Sequence, residues 1–315
     1  MNKMKSRNRI QQKLFPAMGT LNSITLSGDA DPAVLRHAAS EVARFHDLWN
    51  VFDPESELSA VNAAAGRNPV RVSPETFRIL QQAVHYAELS GGAFDITAGA
   101  LSSVWKTAIR AGRLPDPEII RRRRRKIGSE KIRLDPVRQT VFLTEEGMKI
   151  DLGGIAKGYA ADWLCNYFLS CGVRNARINL GGTIRLLGEG RMIGIRNPFR
   201  EGNTSVGKLM AADEAIVTSG IYEQCALIGG RPAHHIIDPR TGYPADSGLV
   251  SVTLIGPFAA ELDALATGIL ILGANHGAEL LKKENISAIL ITDHGKILVT
   301  QDLKNKFTIH ADCIA

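Results

Sequence analysis

The amino-acid sequence predicts an α+β fold instead of a regularly alternating α/β fold. Amphipathic helical segments and short strand pairs follow one another in mixed order, and no regular βαβ alternation connects them. The chain has 315 residues, with no fixed-period repeat and no low-complexity linker, so it is long enough to form one large core. We therefore expect a single domain over residues 15–315, preceded by a flexible segment at residues 1–14.

Helix signals occur in five segments. A capping residue followed by proline, as at Asp31-Pro32, begins three of them. Apolar residues at helical spacing indicate the other helices, and Gly273 is expected to end the last one. The sequence predicts helices that begin near residues 32, 74, 117, 156 and 259.

Strand signals are more frequent in the second half of the chain. The turn sequences at residues 145–147 and 293–295 are each expected to join two strands into a hairpin. Strands are predicted at residues 15–26, 140–143, 148–152, 176–180, 192–196, 226–228, 249–255, 288–292 and 296–300.

The charge distribution argues against a nucleic-acid enzyme. The chain is 44% hydrophobic and 22% charged, as in an ordinary globular enzyme, with a formal net charge of +6. Six basic residues at positions 121–126 account for that excess, because 32 basic residues remain against 32 acidic ones. We interpret this run as a solvated helix, with contact to an acidic partner or polyanion as the alternative.

Targeting and redox signals are weak. No stretch approaches the roughly 18 consecutive apolar residues of a membrane-spanning helix, so no membrane insertion is expected. The basic N-terminus is not followed by the apolar core and cleavage site of a secretory signal, and the four cysteines form no CxxC pair. We therefore expect a cytoplasmic protein.

A glycine-rich segment at residues 151–158, DLGGIAKG, lies between a predicted strand and a predicted helix. Glycines allow a ligand to approach the backbone, and the free N–H groups of a helix start attract an anion. Lys157 would add a positive charge for a phosphate. The spacing is neither that of a Walker A loop nor GxGxxG, and a tight turn with a surface lysine is the alternative.

Asp263 and Thr267 are four residues apart on a predicted helix, so that both side chains lie on one face. A carboxylate and a hydroxyl one turn apart suit Mg²⁺, which takes few protein ligands. The alternative is structural, with the aspartate near a helix start and the threonine bonded back to its own helix.

A polar turn at residues 234–242 contains two histidines, an aspartate and an arginine. An imidazole is the natural base for deprotonating a hydroxyl near neutral pH, although a histidine in a turn is often structural. Three further segments, at residues 91–97, 179–182 and 217–223, are suited either to lining a ligand cleft or to making a bend.

Taken together, these segments resemble the ApbE family, the FAD:protein FMN transferases. The resemblance extends over residues 15–300 and rests on the order and spacing of many short blocks. These are MGT (18–20), FDPESELS (52–59), GAFDIT (92–97), DLGGIAKG (151–158), NLGG (179–182), TSG (218–220), HIIDPRTG (235–242) and DALAT (263–267).

The resemblance implies an α+β fold of two closely packed lobes, with FAD in the cleft between them. It also implies Mg²⁺ beside the FAD pyrophosphate, with Asp263, Thr267 and the main-chain carbonyl of Gly154 as metal ligands. His235 is implied as the general base, and the acceptor as a Thr or Ser hydroxyl of another flavoprotein, with AMP leaving. The implied FAD contacts are Met18, Phe52, Ala93, Phe94, Asp95, Asp151, Lys157 and the backbone near Val250.

Two other functions remain open at the level of sequence. An FAD pyrophosphatase would use the same metal and phosphate site with water as the nucleophile, giving free FMN and AMP. A non-catalytic flavin-binding protein is the third possibility, although the presence of Asp263, Thr267 and His235 together argues against it.

Overall fold

Sixteen strands are present in the computed structural model, which describes residues 10–202, 204–222 and 225–310. In chain order they are β1 (Ile10–Ala17), β2 (Thr20–Ser27), β3 (Val70–Arg71), β4 (Ile132–Asp135), β5 (Thr140–Leu143), β6 (Asn175–Leu180), β7 (Thr183–Leu187), β8 (Arg191–Arg196), β9 (Ser205–Ala211), β10 (Ala215–Gly220), β11 (Cys225–Ile228), β12 (Arg231–His234), β13 (Leu249–Gly256), β14 (Ser287–Thr292), β15 (Ile297–Val299) and β16 (Phe307–Ile309).

Seven α-helices accompany these strands in the described part of the chain. They are α1 (Pro32–Trp49), α2 (Glu57–Ala63), α3 (Pro74–Leu89), α4 (Gly99–Ala111), α5 (Pro117–Arg124), α6 (Ala156–Ser170) and α7 (Ala259–Glu284). Local sequence explains the helix starts: Asp31 Oδ1, for example, accepts a hydrogen bond of 2.7 Å from Ala33 N, which satisfies one of the free amides of α1. All five predicted helices are confirmed, whereas α2 and α4 were not predicted.

An eight-stranded antiparallel sheet forms the centre of the fold, in the order β1-β2-β6-β7-β10-β13-β14-β15. One face packs on α1, α6 and α7 through residues such as Ile24, Ile178 and Leu254. The other face packs through Ile216 and Ile255 on a smaller sheet, β8-β9-β16. This mixture of helices and antiparallel sheets agrees with the predicted α+β class.

Two smaller sheets complete the architecture. Strands β3, β5 and β4 form one, and the hairpin β11-β12 forms the other. A separate core cluster joins that hairpin to α4 and α5. It contains Leu101, Trp105, Ala108, Ile120, Ile228, Ala233 and Ile237.

Two strand predictions were wrong. Residues 15–26 form two strands, because Met18 and Gly19 have φ values of 53° and 73° and make a two-residue hairpin turn. The first strand begins at Ile10, so the predicted flexible segment overlaps it at residues 10–14, and residues 1–9 lie outside the described part of the chain. Residues 148–152 form no strand, since the side-chain amide of Asn62 bonds to both backbone groups of Ile150, at 2.8 and 3.0 Å.

By length and composition, one described helix is capable of crossing a membrane: α7, with a mean hydropathy of 1.3 over its most apolar window. Gly273 (φ 80°) interrupts this helix where the sequence predicted its end, but helical residues continue beyond it to Glu284. Leu265 and Ile269 are fully buried in the protein core. A helix buried in a protein core can have the same length and composition, so these two properties are weak evidence for a membrane span. The expected absence of membrane insertion remains a prediction.

The contact between α6 and α7 depends on the lack of a side chain at Gly158. A Cβ atom there would lie 2.3 Å from the carbonyl oxygen of Ala259 and 2.7 Å from Cα of Ala260. These neighbours are backbone atoms, so the two helices would have to move apart. The close approach also lets Gly158 N donate a hydrogen bond of 3.0 Å to Asp263 Oδ2.

We predict that Gly158→Ala lowers the free energy of unfolding by about 1–3 kcal/mol, the usual cost of overpacking a core. Gly190→Ala is the matched control, because a Cβ atom at Gly190 would meet no atom closer than 3.4 Å. Its effect should stay within about 0.5 kcal/mol. Denaturant unfolding of both variants measures the difference, and equal stabilities would contradict this account of the interface.

Candidate active site

A cavity of about 930 Å³ lies where the central sheet, the helical layer and β8 meet. Ligand sites usually have volumes of about 300–1,000 Å³, so this cavity is suited to a large ligand. Eleven of the twelve site residues proposed from sequence line it. They are Met18, Phe52, Ala93, Phe94, Asp95, Asp151, Gly154, Lys157, His235, Asp263 and Thr267.

The glycine-rich turn that precedes α6 is shaped by Asp151. Its Oδ1 accepts a hydrogen bond of 2.8 Å from Gly153 N, and its own amide donates to Ile96 O at 2.9 Å. Its second oxygen lies 3.8 Å from Nζ of Lys106 on α4. Asp151 therefore holds the turn in position against two other segments, and the Lys106 side chain extends along the cavity wall.

The most polar part of the cavity is formed by Asp263, Lys157 and Thr267. Asp263 is 3% exposed, and its Oδ2 lies 3.6 Å from Lys157 Nζ, which also donates to Gly153 O at 3.1 Å. The Thr267 hydroxyl lies 3.3 Å from the Ser219 hydroxyl and 3.4 Å from the carbonyl oxygen of Asp263. A buried carboxylate next to an ammonium group makes this corner suitable for phosphate and a cation together.

This donor set fits Mg²⁺ better than a metal that needs several protein ligands. A Cβ atom at Gly154 would lie 3.6 Å from Thr267 Oγ1, so the glycine-rich turn and α7 adjoin each other at the two proposed neutral donors. In residues 10–202, 204–222 and 225–310, no group of three or more His, Cys, Asp or Glu side chains is arranged to hold a metal. A cation here would rely on one carboxylate, neutral oxygens, water and ligand phosphates, which is how Mg²⁺ is usually bound.

The start of α7, which carries Asp263, is fixed by a half-buried carboxylate on α6. Asp162 accepts hydrogen bonds of 2.9 Å from the amides of Ala259 and Ala260. Burial raises the pKa of Asp162, while these two amide bonds and the nearby Arg185 act in the opposite direction. Asp162 was not proposed from sequence, because its partners are about 97 residues away in the chain.

Asp95 lies in the cavity wall, but its oxygens are engaged within the protein. Oδ1 accepts from the amide and the hydroxyl of Thr97, at 2.8 and 2.6 Å, and Oδ2 accepts from Ser129 N at 2.9 Å. Burial raises the pKa of Asp95, and these hydrogen bonds oppose the rise. Its carboxylate thus shapes the loop that presents Ala93 and Phe94 to the cavity.

Aromatic and sulfur-containing side chains line other parts of the wall. Met18 is in the β1-β2 turn, and Phe52, with 74% of its surface exposed, follows the end of α1. The Lys106 ammonium lies 5.2 Å from the centre of the Phe52 ring. Lys106 was not proposed from sequence as a residue of the site, because its position depends on the packing of α4, a helix that was not predicted.

The two adjacent histidines have different surroundings. His235 lines the cavity, whereas His234 is 1% exposed, and its Nε2 lies 3.0 Å from the carbonyl oxygen of Ala245. Burial lowers the pKa of His234. Of the pair, His235 lines the cavity and His234 does not, and the role of His235 as a base remains a prediction.

The loop that follows His235 is attached to the protein at several points. Asp238 and Arg240 form a bidentate pair with two contacts of 2.9 Å. The indole of Trp105 donates to Gly242 O at 2.9 Å, and Arg124 donates to Arg240 O at 2.5 Å. Helix α5 is thus a support of this loop as well as a solvated helix. Arg121 and Arg122 of this helix and Arg125, just after it, are exposed, as expected from sequence.

Val250 is the one proposed contact that lies outside the cavity. It is in β13, its side chain packs on the core between the two sheets, and its carbonyl accepts a hydrogen bond of 3.1 Å from Ile221 N. Residues that line the cavity and were not proposed as contacts include Arg196 and Tyr222. The Arg196 guanidinium lies 5.0 Å from the centre of the Tyr222 ring.

Comparisons with known proteins agree on one family. The model of the ApbE family matches residues 18–290. Similar proteins named FAD:protein FMN transferase include one from Klebsiella pneumoniae (strain 342), 36% identical over 304 residues that cover 96% of each chain. Another, from Treponema pallidum (strain Nichols), is 34% identical over 247 residues, which cover 73% of this chain and 68% of the relative.

Solved structures lead to the same family. The ApbE protein of Thermotoga maritima has a TM-score of 0.87 and 28% identity, with 95% of this chain and 99% of that chain covered. The flavin transferase ApbE of Vibrio cholerae has a TM-score of 0.82 and 27% identity, with 95% and 100% covered. Because the family match spans most of the sequence and the similarity of fold extends over nearly the whole chain, this protein belongs to the ApbE family.

Proposed function

We propose that this enzyme transfers the FMN half of FAD to a Thr or Ser hydroxyl of a partner flavoprotein and releases AMP, with Mg²⁺ bound beside the pyrophosphate. The observation that carries the proposal is that Lys157, Asp263, Thr267 and His235 line one cavity. A positively charged phosphate site and a base thus line the same cavity, as the transfer of a phosphoryl group from a pyrophosphate to a hydroxyl requires. The transferase names of the relatives support the same reaction.

The reaction balances without any further reactant. The hydroxyl oxygen of the acceptor attacks the phosphorus of the FMN half, and the bond from that phosphorus to the bridging oxygen breaks. The hydroxyl proton passes to His235, and the electron pair of the broken bond leaves with AMP. A phosphoester between FMN and the acceptor is the second product.

Charge neutralisation is the main contribution of the protein to such a transfer. Lys157, in the first turn of α6, extends toward the buried Asp263 carboxylate and supplies one positive charge at the pyrophosphate. Asp263, Thr267 and the Gly154 carbonyl would hold Mg²⁺, which supplies further positive charge to the phosphate oxygens when bound. Asp151 and Asp95 keep the surrounding loops in place.

A Thr or Ser hydroxyl is a poor nucleophile until its proton is removed, and His235 is assigned to that task. A general base contributes a factor of about 10²–10⁴ to a typical rate.

The function is tested directly by incubating the purified protein with FAD and Mg²⁺, in the presence and in the absence of purified candidate flavoproteins. We expect mass spectrometry to detect an FMN adduct on a Thr or Ser of one flavoprotein, together with AMP. Free FMN and AMP as the only products under both conditions would identify an FAD pyrophosphatase. No cleavage of FAD at all would indicate a flavin-binding protein.

We predict that Asp263→Asn lowers FMN transfer by at least about 10²-fold in saturating Mg²⁺, because it removes the charged ligand while keeping an acceptor for Gly158 N. Thr267→Ala should be milder, since water can replace a neutral donor. Steady-state transfer assays compare the two variants, and circular dichroism checks their fold. Wild-type activity of Asp263→Asn would remove Asp263 from the metal site.

His235→Ala should lower the transfer rate by roughly 10²-fold or more with little change in FAD affinity, because the base acts on the acceptor proton. The pH–rate profile of the wild type should have an acidic limb that this variant lacks. His234→Gln is the control: it alters a buried neighbour that does not line the cavity, so it should change stability more than rate. If His234→Gln is the inactive variant and His235→Ala is not, the base has been assigned to the wrong residue.

The exposed part of the arginine run should be dispensable for catalysis. The triple substitution of Arg121, Arg122 and Arg125 by Gln removes three exposed charges and leaves Ile120 and Arg124 to support the histidine loop. We expect transfer rates within about twofold of wild type, because surface substitutions usually change stability by no more than about 0.5 kcal/mol. A collapse of FAD cleavage in a folded triple variant would place this helix in the FAD or acceptor site.

A further inference from the structure

Strand β8 has an open edge that forms part of the cavity wall. It is the outer strand of the β8-β9-β16 sheet, and among the described residues only β9 pairs with it. Residues 193–196 of this strand line the same cavity as Thr267 and His235. An extended strand edge with unpaired backbone groups is a template for a further strand.

The hydrogen-bond pattern shows which backbone groups of β8 point to the open side. Met210 N bonds to Lys306 O, and His310 N bonds to Val206 O, both at 2.9 Å, so the even-numbered residues of β9 are directed toward β16. Its odd-numbered residues therefore pair with Ile193 and Ile195 of β8.

It follows that the N–H and C=O groups of the alternate residues of β8 point away from β9. Asn197 N, just after the strand, bonds back to Thr204 O at 2.9 Å, which agrees with this alternation. Gly194 and Arg196 thus direct their backbone groups to the open edge. Both residues are exposed, whereas Ile193 and Ile195 are buried against the central sheet.

We propose that the acceptor protein binds here by strand addition, with the segment that carries the modified Thr or Ser extended along β8; this inference rests on the proposed transferase function. In an added strand, every second side chain points to the same face as Ile193 and Ile195, which is the face toward the central sheet. A hydroxyl residue at such a position enters the cavity, while backbone hydrogen bonds to Gly194 and Arg196 hold its neighbours. Because this edge is continuous with the cavity in which the hydroxyl must react, the acceptor is the partner that we expect to bind along it.

The experiment uses Gly194→Pro in the full-length protein. Proline removes the N–H at the open edge without breaking the ladder to β9, since that N–H is not part of the ladder. Met192→Ala is the control: it changes an exposed side chain of the same strand that does not line the cavity, and it keeps every backbone N–H of β8. The probe is a synthetic peptide containing the residue that the wild-type enzyme flavinylates, as identified by mass spectrometry.

We expect kcat/KM for the peptide to fall at least tenfold in Gly194→Pro, by more than the affinity for FAD falls, and to stay within twofold of wild type in Met192→Ala. Equal transfer by the proline variant would overturn strand addition while leaving the transferase function intact. Failure of the wild-type enzyme to flavinylate any flavoprotein would instead contradict the proposed function.

Hydrogen exchange of the wild-type protein supplies a second measurement that needs no variant to fold. Saturating peptide should slow amide exchange at Gly194 and Arg196, with smaller changes at Ile193 and Ile195, which already bond to β9. Unchanged exchange at Gly194 and Arg196 with peptide bound would also overturn strand addition.

Discussion

The hydrogen bond from Gly158 N to Asp263 is the interaction on which the site depends. It joins the first turn of α6 to α7 and holds a carboxylate in a buried position, where Lys157 is the adjacent positive charge. The bond requires that α6 approach the backbone of α7 at Ala259, which no residue larger than glycine allows at position 158. Asp162 completes the same interface by bonding to the first amides of α7. One close helix contact therefore sets the positions of the charged groups, of the proposed metal donors and of the glycine-rich turn.

The rest of the architecture brings the other groups to this contact. The central sheet separates the helical layer from the β8-β9-β16 sheet, and the cavity adjoins both layers. Trp105, from the cluster that joins α4 and α5 to the β11-β12 hairpin, and Arg124 of α5 both bond to the loop after His235. The proposed base and the proposed phosphate site therefore belong to separately supported segments. Each group is thus held by packing remote from the ligand, which favours fixed positions during phosphoryl transfer.

Sequence predicted the features that depend on neighbouring residues. The proline-containing helix starts at residues 32, 74 and 117 were correct because the capping bonds are local, as the one from Ala33 N to Asp31 illustrates. The predicted strand at residues 148–152 failed because its backbone partner is Asn62, which is 88 residues from Ile150 in the chain. Alternating hydrophobicity cannot distinguish an extended segment bonded to a side chain from one bonded to a strand.

The residues of the candidate site likewise fall into those that could be proposed from sequence and those that could not. The match to the family's short blocks proposed twelve residues, and the fold brings eleven of them to one cavity. Val250 came from the same match, but its side chain packs between the sheets. Lys106 was missed because its pairing with Asp151 depends on the packing of α4, which the sequence pattern did not predict. Long-range pairing of this kind has no local signal.

A crystal structure of the protein with FAD and Mg²⁺ tests the central claim most directly. We expect a metal ion about 2.1 Å from an Asp263 carboxylate oxygen and from Thr267 Oγ1, with the pyrophosphate between that ion and Lys157. FAD bound with its pyrophosphate away from Lys157, or a metal ion bound elsewhere in the cavity, would contradict it.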